Sequence, residues 1–176
     1  MKLFVTGRPG SGKTTLIKEV LKHFPEIPCC GFYTEEIREG GVRTGFKVKT
    51  IITKKEALLA HIDFDKKFSV GKYGVDLEGF EKVISEEFKK GTPSSLYIID
   101  EVGPMECYSK KFVKIVEELL QGNSKILGSV QLKGGGLMER IRNEKSIRLF
   151  HLAEKNRKEV LSEVLNILKK EYEGKF

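Results

Sequence analysis

A chain of 176 residues, 39% of them hydrophobic and 32% charged, is long enough to form one globular domain with its own core. No apolar run approaches the roughly 20 residues needed to cross a bilayer, and the N-terminal segment turns glycine-rich too early for a signal peptide, so we expect a cytoplasmic protein without membrane contact. The net charge of +7 permits nucleic-acid binding, but Lys and Glu are spread along helix faces without a long basic block, so nucleic acid is not the favoured partner.

Strand and helix patterns alternate along the chain. Apolar alternation or continuous apolar runs predict strands over 2–6, 30–35, 42–53, 95–99, 126–130 and 147–152. Apolar residues at the helical period predict helices over 13–24, 77–90, 109–121, 137–142 and 156–172. The glycines within 38–41 predict a hairpin turn, and the segment 54–75 is ambiguous between short strands and a lid.

This alternation predicts an α/β fold in which a mainly parallel sheet carries helices on both faces. The hairpin within 30–53 is an antiparallel addition to that sheet. Because neither a linker nor an internal repeat interrupts the pattern, we expect residues 1–176 to form a single domain and the protein to be a monomer.

The segment 7–14, GRPGSGKT, fits the phosphate-binding pattern G-x-x-x-x-G-K-[ST], known as Walker A, between a predicted strand and a predicted helix. Its glycines let backbone amides converge on phosphate oxygens, and the positive end of the helix dipole adds to the attraction. Lys13 is predicted to be catalytic by reaching the β- and γ-phosphates, and the Thr14 hydroxyl to ligate Mg²⁺. The nucleotide-binding residues predicted in this segment are Gly7, Arg8, Pro9, Gly10, Ser11, Gly12, Lys13, Thr14 and Thr15.

A second part of a nucleotide site follows the apolar run 96–99, which ends in Asp100 and Glu101. A buried strand would carry Asp100 to the carboxyl edge of the sheet, where open α/β sheets bind ligands, and there it would hold Mg²⁺ through water in the manner of a Walker B acid. A carboxylate one residue further can orient and deprotonate a water aimed at the γ-phosphate. Glu101 is therefore the predicted catalytic base, and the Asp-Glu pair favours hydrolysis over phosphate transfer.

With both parts in place, the sequence resembles the small P-loop nucleoside-triphosphatase family that includes the cancer-related NTPase and its relatives from thermophiles. The resemblance spans nearly the whole chain and is carried by 7–15, 31–36, 45–46, 100–106, 141–143 and 154–157. It implies a P-loop NTPase fold with a RecA-like or kinase-like sheet. It also implies an enzyme that hydrolyses the phosphoric anhydride of ATP, GTP, CTP and UTP with Mg²⁺, giving nucleoside diphosphate and phosphate with broad base tolerance.

Positive charge for the γ-phosphate transition state is offered, beyond Lys13, by Arg8, Arg142 and Arg157. Asn156 and Arg157 also begin a helix after a strand, and they are predicted to bind the nucleotide. A base stacked on the Arg157 guanidinium needs no base-specific hydrogen bond, which suits broad specificity.

Two polar residues, Ser129 and Gln131, end the strand that follows the acidic one. Where a P-loop sheet inserts a strand between the loop and the acid, a polar residue at this place can contact the γ-phosphate. Ser129 is therefore a candidate sensor, beside Arg142 as a candidate transition-state residue.

Two other functions fit the same loop. A nucleotide or small-molecule kinase would need an acceptor pocket and an arginine-rich lid, and the segment 54–75 is only mildly basic. A partner-activated nucleotide switch or RNA-associated ATPase would show partner stimulation and a strong salt dependence. The charged hairpin residues form either a second-substrate site or, as we favour, a solvated face; they are Glu35, Glu36, Arg38 and Arg43.

Overall fold

The fold is known from a computed structural model that describes residues 1–173, and residues 174–176 of the predicted domain lie outside the described residues. The strands are β1 (Lys2–Thr6), β2 (Cys29–Glu39), β3 (Val42–Thr50), β4 (Glu56–His61), β5 (Ser69–Val70), β6 (Tyr73–Val75), β7 (Leu96–Val102), β8 (Lys125–Val130) and β9 (Arg148–His151). The helices are α1 (Lys13–His23), α2 (Leu77–Phe88), α3 (Pro104–Cys107), α4 (Lys110–Gln121), α5 (Leu137–Asn143) and α6 (Arg157–Glu171).

The strands form one nine-stranded sheet in the order β5-β6-β4-β3-β2-β7-β8-β1-β9. The five strands from β2 to β9 in this order are parallel, and β3, β4, β6 and β5 extend the sheet by antiparallel pairing. The predicted mainly parallel sheet with an antiparallel hairpin is confirmed. Since β8 lies between β1 and β7, the sheet has the inserted strand on which Ser129 was predicted to act.

Helices cover both faces of the sheet, as predicted. Neighbouring residues of β1 point to opposite faces, so Phe4 lies in a core with helices α2, α4 and α5, whereas Leu3 and Val5 lie in a core with α1 and α6. The first core is centred on aromatic contacts, with the ring of Phe32 5.7 Å from Phe80. Among the helices of residues 1–173, none is both long and apolar enough to span a membrane.

The structure corrects several predicted boundaries. β2 runs to Glu39, so the hairpin turns at Gly40 and Gly41, which adopt φ of +55° and +81°. The ambiguous segment 54–75 contains the short strands β4 to β6, which is the strand alternative and not a lid. β7 continues past Asp100 and Glu101 to Val102, because Val102 pairs with Val130 of β8.

A buried carboxylate ties helix α2 to the sheet extension. Glu87 is fully buried and accepts hydrogen bonds from the backbone N–H groups of Gly31 at 3.0 Å, Ile52 at 2.8 Å and Thr53 at 2.9 Å. The bonds from Ile52 and Thr53 satisfy amides that the turn between β3 and β4 would otherwise leave unpaired, and the bond from Gly31 attaches the same carboxylate to β2. The amphipathic pattern of α2 gave no indication of this role.

Candidate functional site

The predicted phosphate-binding loop lies at the carboxyl edge of the sheet, between β1 and α1. Gly10 and Gly12 adopt φ of +78° and +98°, and Gly12 is the N-cap of α1, so the loop needs glycine at both positions. At Gly7 a Cβ atom would collide with the carbonyl oxygen of Leu152. The start of the loop thus packs directly against the backbone that follows β9.

Lys13 connects the loop to the acidic strand. Its Nζ atom donates to the carbonyl oxygen of Gly7 at 3.3 Å and lies 3.4 Å from Oε2 of Glu101. The Lys13 side chain is only 11% exposed. Because the Glu101 side chain is 27% exposed, this ion pair is partly buried and is screened less than a surface pair, so it couples the loop to the acidic strand.

Asp100 is the most completely buried charged group of the site. Its carboxylate accepts hydrogen bonds from the hydroxyls of Thr14 at 2.7 Å and Ser129 at 2.5 Å, and from the N–H of Thr34 at 3.5 Å. Burial raises the pKa of Asp100, and these hydrogen bonds act in the opposite direction. The structure thus brings the three predicted residues Thr14, Asp100 and Ser129 into direct contact.

Glu101 follows Asp100 through a cis peptide bond. Burial raises its pKa above the ordinary value for glutamate, Lys13 opposes that shift, and the charge of Asp100 adds to it. A carboxylate with a raised pKa is a stronger base than an exposed one, which is the property required for accepting a proton from water near neutral pH.

Glu106 is a buried residue of this region that the sequence prediction did not assign a role. A Cβ atom placed on Gly103 would lie 2.9 Å from Oε2 of Glu106 and 3.3 Å from Oε1 of Glu101. The two carboxyl groups therefore lie on either side of the same glycine. Burial first, and the charge of Glu101 second, raise the pKa of Glu106 to about 8. In the structure Glu106 is the third residue of the short helix α3, where a glutamate often accepts from the N-cap amide, but the apolar pattern of the sequence did not predict this helix.

The predicted base-binding pair is engaged with the backbone. Arg157 donates from Nε to the carbonyl of Ser11 at 2.6 Å and from Nη2 to the carbonyl of Gly10 at 3.0 Å. The Asn156 amide donates to the carbonyl of His151 at 2.9 Å and accepts from the N–H of Ala153 at 2.8 Å. Arg157 therefore lies on the phosphate-binding loop, and Asn156 shapes the turn before α6.

The other predicted cations differ in their surroundings. Arg142 donates to the carbonyls of Gln131, at 2.8 Å, and of Gly134, so its guanidinium is occupied within the chain. The Arg8 side chain is exposed and makes no hydrogen bond or ion pair with the described part of the chain, whereas the Arg8 carbonyl accepts from the N–H of Ser11 at 3.0 Å. Pro9 and Thr15 are also exposed, at the tip of the loop and on the first turn of α1.

The hairpin charges form ion pairs with one another and with α1. Glu35 lies 2.6 Å from Lys18 and 3.1 Å from Lys49, and Glu36 lies 2.8 Å from Arg43 and 2.7 Å from Arg38. Such pairing among partly exposed charges is the pattern of a solvated face, the alternative favoured from the sequence.

Comparison with known proteins agrees with this geometry. A family model described as NTPase matches residues 2–165. Nucleoside-triphosphatase THEP1 of Thermotoga sp. (strain RQ2) is 39% identical over 170 residues, covering 96% of this chain and 96% of that protein. The human cancer-related nucleoside-triphosphatase is 36% identical, covering 93% and 94%. The crystal structure of THEP1 from the hyperthermophile Aquifex aeolicus is similar with a TM-score of 0.87 and 31% identity, covering 96% of this chain and 99% of that chain.

Proposed function

The chain belongs to the NTPase family and is a nucleoside-triphosphatase, and we propose that it hydrolyses ATP, GTP, CTP and UTP with Mg²⁺ to nucleoside diphosphate and phosphate. Lys13 and Glu101 are its catalytic residues, and Thr14 and Asp100 hold the metal. The loop from Gly7 to Thr15 binds the phosphates, and Arg157 with Asn156 borders the nucleoside.

The observation that carries this proposal is the pair of contacts between the phosphate-binding loop and β7. Thr14 lies 2.7 Å from Asp100, and Lys13 lies 3.4 Å from Glu101. A γ-phosphate held by the amides of the loop would therefore lie between a cation, a metal-binding pair and a base. This is the set of groups that phosphoryl transfer to water requires.

The donors at the metal position fit Mg²⁺. A hydroxyl and a carboxylate oxygen are hard ligands, and Mg²⁺ is commonly held by one or two such groups together with substrate phosphates and water. When bound, the ion would neutralise charge on the β- and γ-phosphates. Ser129 holds the second oxygen of Asp100 and so fixes the direction of this carboxylate.

In the hydrolytic step a water oxygen forms a bond to the γ-phosphorus, and the bond from that phosphorus to the β–γ bridging oxygen breaks. The water proton passes to the Glu101 carboxylate, and the electron pair of the broken bond stays on the diphosphate. Lys13 stabilises the charge that develops on the phosphate oxygens. Glu101 returns its proton to solvent when the products leave.

Broad base tolerance follows from the hydrogen bonds that Asn156 and Arg157, beside the expected nucleoside position, already make with the backbone. The Asn156 amide is paired with backbone on both of its sides, and two donors of Arg157 are bound to loop carbonyls. These backbone contacts orient both side chains, and Arg157, which keeps further N–H donors but has no acceptor, offers no donor–acceptor pair that would select one base. A flat guanidinium surface still accepts any base by stacking.

The single domain over 1–176, the monomeric state and the cytoplasmic location stay predictions. The continuous sheet of the described residues supports the first of these.

Separating binding from chemistry tests the assignment. Lys13→Ala should lose tight binding of a non-hydrolysable triphosphate analogue, whereas Glu101→Gln should bind the analogue like the wild type and lose turnover. Exposed Glu118→Gln on α4 is the matched control for the charge change. Normal hydrolysis by Glu101→Gln would remove the base role, and phosphate recovered on an added acceptor would indicate a kinase.

A further inference from the structure

A glycine-rich loop, residues 131–136 (QLKGGG), leaves the sheet beside the site. The N–H of Gln131 donates to the carbonyl of Val102, the residue after Glu101, at 3.1 Å. Two residues before the loop, Ser129 bonds to Asp100 at 2.5 Å. The 131–136 loop therefore begins next to both acids of the site.

The start of this loop is fixed by Arg142 of α5. One guanidinium binds the carbonyls of Gln131 and Gly134 together, so the short segment between them is held at both of its ends. Lys133 lies within that segment, at most about 7 Å of chain from Gln131. The fold consequently keeps the backbone of Lys133 within a short reach of Gln131, which bonds to the residue after Glu101.

Lys133 is a cation without a partner in the structure. It is exposed and makes no hydrogen bond or ion pair with any residue of the range 1–173. By contrast, Lys13 faces Glu101, Arg157 binds the phosphate-binding loop, and Arg142 binds this loop. Within the described residues, the side chains of Lys133 and Arg8 are thus among the cations that are free to turn toward a ligand.

Of the three glycines after Lys133, Gly134 packs against Met138, where a Cβ would lie 2.8 Å from its Sδ, whereas Gly135 and Gly136 have open space around them. No atom lies within 4 Å of a Cβ placed on Gly136, and the nearest atom to a Cβ on Gly135 is 4.0 Å away. Gly135 has no close neighbour and no left-handed φ in this structure. Its observed conformation would therefore also accept a residue with a side chain. Conformational freedom is what glycine contributes at such a position.

We propose that Lys133 is a further catalytic residue, which contacts the γ-phosphate oxygens of a bound triphosphate and supplies the second positive charge from within the chain. Arg142 is the positioning residue that holds the 131–136 loop in place for it. The proposal rests on the proposed hydrolysis, in which negative charge spreads over the γ-phosphate oxygens in the transition state.

Three lysine variants test this proposal. Lys133→Met should lower kcat by about 10²-fold or more with little change in KM, and Lys133→Arg should restore most of the rate because it keeps the charge. Lys145 after α5 is exposed and pairs with no residue of the range 1–173, so Lys145→Met is the matched control and should hydrolyse like the wild type. A second measurement uses nucleoside diphosphate with Mg²⁺ and aluminium fluoride, a complex that mimics the transition state. Lys133→Met should no longer bind this complex tightly, although it should still bind the diphosphate alone.

The outcomes distinguish this inference from the proposed function. If the wild type releases phosphate and Lys133→Met does so at the same rate, Lys133 has no catalytic role and the hydrolase assignment stands. If the wild type releases none, both fail. Loss of rate and of aluminium fluoride binding in Arg8→Met, with Lys133→Met unaffected, would also overturn the role of Lys133.

Discussion

The ammonium of Lys13 lies 3.4 Å from the carboxylate of Glu101, and this ion pair joins the phosphate-binding loop to the acidic strand. Burial raises the pKa of Glu101 and the charge of Lys13 opposes that shift, so the ion pair weakens the basicity of this carboxylate. We expect a bound γ-phosphate to draw Lys13 away from Glu101. The carboxylate, no longer paired, is then a stronger proton acceptor when the attacking water is in place.

Ser129 supports the metal-binding acid, so its loss should weaken Mg²⁺ binding. Ser129→Ala removes the 2.5 Å hydrogen bond to Asp100, and loss of such a supporting contact typically weakens metal binding by about 10–100-fold. When phosphate release is measured against Mg²⁺ concentration, the concentration that gives half of the maximal rate should rise by about this factor. Turnover should recover at high Mg²⁺. Ser162→Ala on the exposed side of α6 is the control. A lower rate that persists at saturating Mg²⁺ would instead favour the predicted sensor role.

Arg157 holds the phosphate-binding loop and borders the nucleoside, so its removal should weaken nucleotide binding. Arg157→Ala loses the hydrogen bonds at 2.6 Å and 3.0 Å to the carbonyls of Ser11 and Gly10. We expect KM for all four triphosphates to rise by about tenfold, which corresponds to roughly 1.4 kcal/mol. Lys158→Ala, the exposed next residue, should leave KM unchanged. Equal KM values for Arg157→Ala and the wild type would rule out both roles.

Glu106 makes the stability of the protein depend on pH. Its pKa is raised from 4.5 in the free side chain to about 8 by burial and by the charge of Glu101, so the folded state keeps this proton to higher pH than the unfolded state. The stability that Glu106 contributes is therefore complete below about pH 4.5 and is lost as the pH rises through about 8.

Glu106→Gln should remove this dependence, since glutamine is neutral and still offers an oxygen to the Gly103 amide. Urea unfolding between pH 5 and 9 should show the variant gaining stability relative to the wild type as the pH rises, by a few kcal/mol at about 1.4 kcal/mol per pKa unit. Glu118→Gln at an exposed position should leave the pH profile unchanged. Parallel profiles for wild type and Glu106→Gln would show that Glu106 is ionised in the fold.

The sequence predicted the parts of the site that are encoded locally. The phosphate-binding loop is a contiguous motif between a strand and a helix, and Asp100 and Glu101 end a continuous apolar run. Sheet topology then brings these two segments together at one edge, as is general for parallel strands. The period of apolar residues likewise predicted the helices on both faces, which the structure confirms.

Features that depend on tertiary contacts were beyond the sequence. The strands β5 and β6 span only Ser69–Val70 and Tyr73–Val75, which is too short for a period-2 pattern, and they form through pairing with each other and with β4. The attachment of Arg157 to the phosphate-binding loop joins residues 146 positions apart. The burial of Glu106 arises from the packing of α3, a one-turn helix that the apolar pattern did not predict.

Phosphate release from ATP, GTP, CTP and UTP with Mg²⁺, measured for the wild type beside Glu101→Gln, tests the proposed hydrolysis most directly. We expect similar release from all four by the wild type, no release when Mg²⁺ is chelated, and a loss of about 10²–10⁴-fold in the variant. No release by the wild type from any triphosphate, or equal release by Glu101→Gln, would contradict it.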